Sequence, residues 1–219
     1  MITIQEQQKL LLSISRRLKK QITVYAIGGN AMMFQGFKEA TLDVDLVFET
    51  DKDRDVFKQA IKEIGYQEID SILAYGTKKN RPTMLTLGKE RIDLFVVQVI
   101  HFDFSKQMMK RAEQIHQFGE NLIIRVADLH DIILMKCATD RQKDIDDVRN
   151  IIENKTIDWN TVISEAKNQI NLGKEDAAFE LGIFLEKLKY QLKVDIPVKV
   201  LDELFAIVQK QSEEKQTSA

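Results

Sequence analysis

The sequence predicts an α+β protein, with a small mixed sheet flanked by helices and then a helical C-terminal domain. Three observations predict it. Strand-like and helix-like segments alternate up to about Ala127. Beyond that residue the apolar positions keep helical spacing throughout. Only two prolines occur, and one of them, Pro197, separates the last two helical patterns. The expected boundaries are residues 1–127 for the α+β domain, 128–211 for the helical domain and 212–219 for a disordered polar tail.

The elements follow in order. Ile4, Leu10, Leu11, Leu12, Ile14 and Leu18 stand among polar residues, the pattern of an amphipathic helix. "ITVYAIGG" reads as a strand from Ile22 to Ile27, ended by Gly28-Gly29. "NAMMFQGF" opens on Asn30, a good helix cap, and reads as a short helix closed near Gly36. "TLDVDLVFE" is a second strand, with Leu42, Val44 and Leu46 expected in the core. "DKDRDVFKQAIKEIGY" is a capped helix that stops at Gly65. "TMLTLGKERIDLFVVQ" reads as a hairpin around Gly88-Lys89. "SKQMMKRAEQIHQFG" reads as a helix or an irregular connection, and "NLIIRVA" as a short strand. Helical patterns then cover Asp128–Lys155, Trp159–Ile170, Lys174–Leu192 and Val198–Gln211.

Bulk properties narrow the class. The 219 residues are 44% hydrophobic, enough for a substantial core and against wholesale disorder. A formal net charge of −2 gives no global basic field for nucleic acid, although 32 Lys and Arg leave room for a local one. One cysteine, Cys137, forms no internal disulfide, which fits a reducing compartment. The N-terminal residues have mixed charge and a brief apolar run, neither a secretory signal nor a membrane span. A cytoplasmic protein without a membrane partner is the expectation. The three histidines are scattered without ligand spacing, so no zinc site is expected.

The carboxylates within the strands carry the chemistry. In an extended strand alternate residues share a face, so Asp43 and Asp45 point together, away from Val44 and Leu46. Two adjacent carboxylates repel, and need a cation between them or solvent around them. Oxygen-only donors of this kind suit Mg²⁺ or Mn²⁺. "RIDLFVV" repeats the pattern, with Asp93 opposite in face to Ile92 and Leu94. If this strand pairs with the first, Asp93 completes a three-carboxylate cluster suited to in-line phosphoryl chemistry. Upstream, a strand, Gly28-Gly29 and a helix start allow close backbone approach to a phosphate.

Gly28-Gly29, "TLDVD" and "RIDLF" together resemble the nucleotidyltransferase superfamily that includes DNA polymerase beta and the aminoglycoside nucleotidyltransferases. The chain looks closer to the AbiEii-type prokaryotic branch, several members of which are toxins of toxin–antitoxin or abortive-infection systems. "LHDIILMKCATDRQKDIDDVRNII" extends that likeness, which spans about residues 20–150. The resemblance implies that Asp43, Asp45 and Asp93 ligate metal, with Asp93 also helping to deprotonate an attacking hydroxyl. It implies that Gly28, Gly29 and Asn30 lie against a nucleoside triphosphate, and that Lys136 and Asp144 complete nucleotide binding. The superfamily usually has Gly-Ser at the turn, with the serine hydroxyl on phosphate; here Gly28-Gly29 precedes Asn30.

The implied reaction transfers a nucleoside monophosphate from an NTP to an acceptor hydroxyl or phosphate, with tRNA or a small molecule as acceptor. A cognate antitoxin protein is the implied partner. Two alternatives stand beside it: a catalytically degenerate member that binds nucleotide or a partner protein, and an antibiotic-type small-molecule nucleotidyltransferase. Three intact carboxylates argue against the first. The sequence pI near 6.0 favours a small or locally bound acceptor.

Overall fold

The computed structural model describes residues 1–139 and 141–217, which form two compact units. The first comprises Met1–Ile100 and Phe104–Asp128, and the second His101–Asp103 and the residues from Leu129 onward. The class is α+β, as the alternating patterns predict.

The first unit contains strands β1 (Ile22–Ala26), β2 (Asp43–Phe48), β3 (Gln67–Ile69), β4 (Thr83–Leu87), β5 (Glu90–Val96), β6 (Gln114–Phe118) and β7 (Leu122–Val126). They hydrogen-bond in the order β6-β7-β1-β2-β5-β4-β3. The sheet is mixed: β7–β1 and β2–β5 are parallel pairs, and the others antiparallel. Helices α1 (Ile4–Ser15) and α3 (Asp51–Lys62) supply Leu11, Ile14, Phe57, Ala60 and Ile61 to a core with Val24, Val44, Leu46, Phe48, Ile92 and Leu94. Each such large side chain, fully buried, contributes roughly 1.5–3 kcal/mol.

Local chemistry sets the helix starts. Thr3 and Glu6 form a reciprocal capping box before α1. The Thr50 hydroxyl accepts from the Asp53 amide at 3.1 Å, and Asp51 and Asp53 lie at the positive end of the α3 dipole.

Several sequence expectations change. Leu42 lies just before β2 and is 57% exposed, whereas Val44 and Leu46 are buried. The face alternation holds only once the backbone enters the sheet at Asp43. Helix α2 spans Gly28–Phe34, so the glycine pair lies in its first turn and Ile27 is the cap. Asn30 is therefore no cap: it is buried, and its side-chain amide donates to the Asp45 carbonyl at 3.2 Å. The ambiguous stretch after residue 104 divides into helix α5 (Lys106–Arg111) and strand β6. A short helix α4 (Ile72–Tyr75) and the edge strand β3 carry too little periodicity to be legible in the sequence.

The second unit is helical: α6 (Leu129–Lys136), α7 (Gln142–Asn154), α8 (Trp159–Asn171), α9 (Ala177–Leu192) and α10 (Val198–Thr217). The helical pattern over 128–155 resolves into two helices; Asp140 lies outside the described residues. Residues 101–103 belong here because the Gln169 side chain grips the Asp103 backbone from both sides, at 2.9 and 2.8 Å. At the C-terminus, α10 continues through Thr217, across most of the expected tail. Bonds one helical turn apart, Gln209 to Glu213 and Ser212 to the Val208 carbonyl, carry the helix past residue 211. Residues 218 and 219 lie outside the described residues. Among the described residues, no helix is long and apolar enough to cross a membrane.

Candidate active site

Register builds this site. Parallel pairing of β2 with β5 sets Asp43 opposite Arg91 and Asp45 opposite Asp93. All four alternate positions fall on one face of the sheet, with Val44, Leu46, Ile92 and Leu94 on the other. The three aspartates each bring a carboxylate oxygen within 4.8 Å of the others. Asp43 and Asp93 are buried and Asp45 is half-buried.

Like charges this close, with little water, demand compensation. The Arg91 guanidinium donates to Asp43 Oδ2 and stands 3.2 Å from Asp93 Oδ2. The Tyr75 hydroxyl, from α4, donates to the same Asp93 oxygen at 2.6 Å. Asp93 is raised to about 6: burial is the largest cause, Arg91 and the Tyr75 hydrogen bond oppose it, and Asp43 adds to it. Burial, with Asp45 and Asp93 nearby, raises Tyr75 far above a normal phenol and keeps it a neutral donor. Asp93 Oδ1 is buried with no hydrogen-bond partner.

The glycine pair closes against this cluster. Gly28 has φ +57°, and a Cβ there would stand 2.8 Å from Asp45 Oδ2. A Cβ at Gly29 would stand 2.6 Å from Thr41 Oγ1. Backbone and carboxylate thus share a space that no side chain fits. Helix α2 has only seven residues, so its contribution is close approach rather than a strong dipole. The donor set fits a hard divalent cation such as Mg²⁺ or Mn²⁺: oxygen ligands only, one of them, Asp93 Oδ1, orphaned inside.

Lys136 and Asp144 come together within the helical unit. The buried Lys136 ammonium bonds Asp144 Oδ1 at 2.7 Å and Asp147 Oδ2 at 2.6 Å. Asp144 also accepts from the Thr139 hydroxyl and, at 2.7 Å, from Arg141 Nε. Burial raises the Asp144 carboxyl, but Lys136, Thr139 and Arg141 outweigh it and bring it down to about 2. The residues that sequence reasoning missed are Tyr75, Thr41 and Asp147, together with the bridging role of Arg91. Arg91 carried a signal, its two-residue spacing from Asp93 on one strand face. Tyr75 carried none.

Three strand carboxylates thus stand against a glycine turn on one face of the sheet. The chain belongs to the family described as "Nucleotidyltransferase of unknown function (DUF6036)", whose model matches residues 1–193. A solved structure, that of ANT(2″)-Ia in complex with adenylyl-2″-tobramycin, is similar at 12% identity and TM-score 0.43, covering 83% of this chain and 98% of that chain. No curated protein matches the sequence.

Proposed function

We propose that this nucleotidyltransferase is metal-dependent and moves a nucleoside monophosphate from an NTP to an acceptor hydroxyl or phosphate, releasing pyrophosphate. The carrying observation is the β2–β5 register, which gathers Asp43, Asp45 and Asp93 within 4.8 Å. In this reading the three carboxylates hold Mg²⁺ or Mn²⁺. Bound there, the metal supplies charge neutralisation at the α-phosphate and the leaving pyrophosphate.

The chain's own residues do the rest. Gly28 and Gly29 let the backbone approach the triphosphate, and Asn30 fixes that turn by gripping the Asp45 carbonyl. Tyr75 and Arg91 occupy one oxygen of Asp93 and leave Oδ1 available. An acceptor oxygen attacks the α-phosphorus, and the bond from that phosphorus to the β-phosphate bridging oxygen breaks. For a hydroxyl acceptor, Asp93 takes the proton; a carboxyl held near 6 is ionised at neutral pH and basic enough to serve. Lys136 and Asp144 are assigned to nucleotide binding by the family resemblance, as a positioning pair, the ammonium already serving two carboxylates.

The finer reading is an AbiEii-like toxin of the cytoplasm, with tRNA as acceptor and a cognate antitoxin protein as partner. The test is incubation with each α-labelled NTP, Mg²⁺ or Mn²⁺, and tRNA, small-molecule or protein acceptors. Metal-dependent pyrophosphate release with label on one acceptor is the expected result. Label on an antibiotic would select the small-molecule alternative. Nucleotide binding without turnover for any acceptor would overturn the enzyme reading in favour of a degenerate binding protein. Co-purification with a small neighbouring gene product, and suppression of turnover by it, tests the toxin assignment.

A further inference from the structure

We propose that the cavity formed by residues 71–81 is a second phosphate-binding site, which holds phosphate groups of a substrate beside the carboxylate cluster. Its assignment to a substrate rests on the transferase reading above.

The cavity is a wide recess open to solvent, with a volume of about 710 Å³, and its lining includes Ser71, Thr77, Lys78, Lys79, Asn80 and Arg81. Three cations therefore converge on it, in a chain whose net charge is −2. Among the described residues, none of the three has a carboxylate partner. Unpaired like charges sharing one concave surface repel, and an anion relieves them.

The segment is also fixed at several points. Asn80 adopts φ +50°, its side-chain amide donates to the Ile100 carbonyl at 3.0 Å, and the Ile100 amide donates back to the Asn80 carbonyl at 3.4 Å. Arg81 donates to the Gly76 carbonyl at 2.6 Å. Tyr75, between the cavity residues, reaches Asp93 at 2.6 Å. One short segment thus touches the proposed reacting centre and presents Lys78, Lys79 and Arg81, none with a carboxylate partner among the described residues, to a cavity.

Phosphate groups are the matching chemistry, and two sources supply them: the triphosphate of the nucleotide, or the phosphodiester backbone of a nucleic-acid acceptor. A polycationic acceptor would meet repulsion here.

The experiment uses the full chain in EDTA, so that metal at the triad makes no contribution. The probes are ATP, measured calorimetrically, and a short fluorescein-labelled single-stranded RNA, measured by anisotropy across salt concentrations. The variant is Lys78→Gln with Lys79→Gln, which removes two exposed charges that make no side-chain bond; a thermal melt confirms that it folds. The expected result is about tenfold weaker binding of at least one probe. If RNA is that probe, its salt slope should fall by roughly 1.4, two cations at about 0.7 each for a single strand. Loss for RNA alone identifies the acceptor strand as the source, and loss for ATP alone identifies the nucleotide. Unchanged binding of both probes, or no binding of either by the wild type, overturns the proposal. Failure of the transferase reading would look different: probe binding intact and sensitive to the variant, but no pyrophosphate released with metal present.

Discussion

Two buried clusters of aspartates make an instructive pair. In the sheet, Asp43, Asp45 and Asp93 crowd together with Arg91 as the cation that reaches two of them. In the helical unit, Asp144 and Asp147 flank Lys136, and Arg141 adds a second cation. The residue type is the same and burial is similar, yet the outcomes are opposite. Asp93 is pushed up to about 6, while Asp144 is brought down to about 2. The first cluster leaves Asp93 Oδ1 without a hydrogen-bond partner; in the second, Lys136 bonds both carboxylates. Unrelieved charge inside a protein marks a place for something else to bind, and matched charge marks structure.

The sharpest break in that comparison is Asp45→Asn. It removes one charge from the crowded site while nearly keeping shape. Transfer activity should fall by about 10²-fold or more, as when charge stabilisation at a reacting phosphate is lost. The metal-free protein should melt at the same temperature or slightly higher. Stabilisation by Mg²⁺ or Mn²⁺ should shrink, because metal raises stability through binding the native state. Thermal melts with and without metal, beside a turnover assay, check all three. Strong destabilisation of the metal-free variant would falsify the contrast and make Asp45 a structural carboxylate.

Lys136→Met should behave the other way. It leaves Asp144 and Asp147 buried with Lys136 gone, which costs roughly 3–5 kcal/mol. Denaturant melts should show that loss with or without metal. If Lys136 contributes to nucleotide binding only through position, KM for the NTP should rise in the folded fraction with little change in kcat. A stable variant whose kcat collapses would instead place the ammonium on the reacting phosphates.

Acid should act through Asp144. Its folded pKa of about 2 lies below the unfolded value near 3.8, so the unfolded chain takes up the proton first. Its stabilisation is complete above about pH 4 and is lost as pH falls toward 2. Discounted for screening, it amounts to roughly 1–2 kcal/mol. Asp144→Asn should remove that part of the pH dependence in melts taken between pH 2 and 5. An unchanged acid profile would show that Asp144 is not held down by its partners.

The smallest effect belongs to Arg91→Gln. Arg91 is the guanidinium that bonds within the triad, so its loss should tighten Mn²⁺ binding by about tenfold, or 1.4 kcal/mol. Titration calorimetry without nucleotide measures this directly. Equal or weaker Mn²⁺ binding would mean that Arg91 shapes the site more than it neutralises it.

Much of this was legible in the sequence. The α+β pattern, the hairpin at Gly88-Lys89, the strand aspartates and the glycine pair all follow from periodicity and turn chemistry, which act over a few residues. What was not legible depends on pairing between distant segments. Leu42 reads as one more apolar strand position, but the backbone joins the sheet one residue later and leaves it exposed. Asn30 reads as a cap, but the helix starts two residues earlier and turns its amide onto Asp45.

The sequence by itself determined that Asp43 and Asp45 share a strand face and that Asp93 lies on a second strand, because side-chain alternation is a property of any extended chain. It also determined that Lys136 sits on an apolar helix. Only the tertiary structure decided that β2 and β5 are parallel neighbours with Asp45 opposite Asp93. It alone brought Tyr75 from the short helix α4 onto Asp93, and closed Asp144 and Asp147 around Lys136. The physical reason is range. Periodicity and capping are settled within a turn or a few strand residues, whereas register and burial are settled by which surfaces the whole chain can cover at once. Whether a buried carboxylate stores repulsion or is neutralised depends on that second choice.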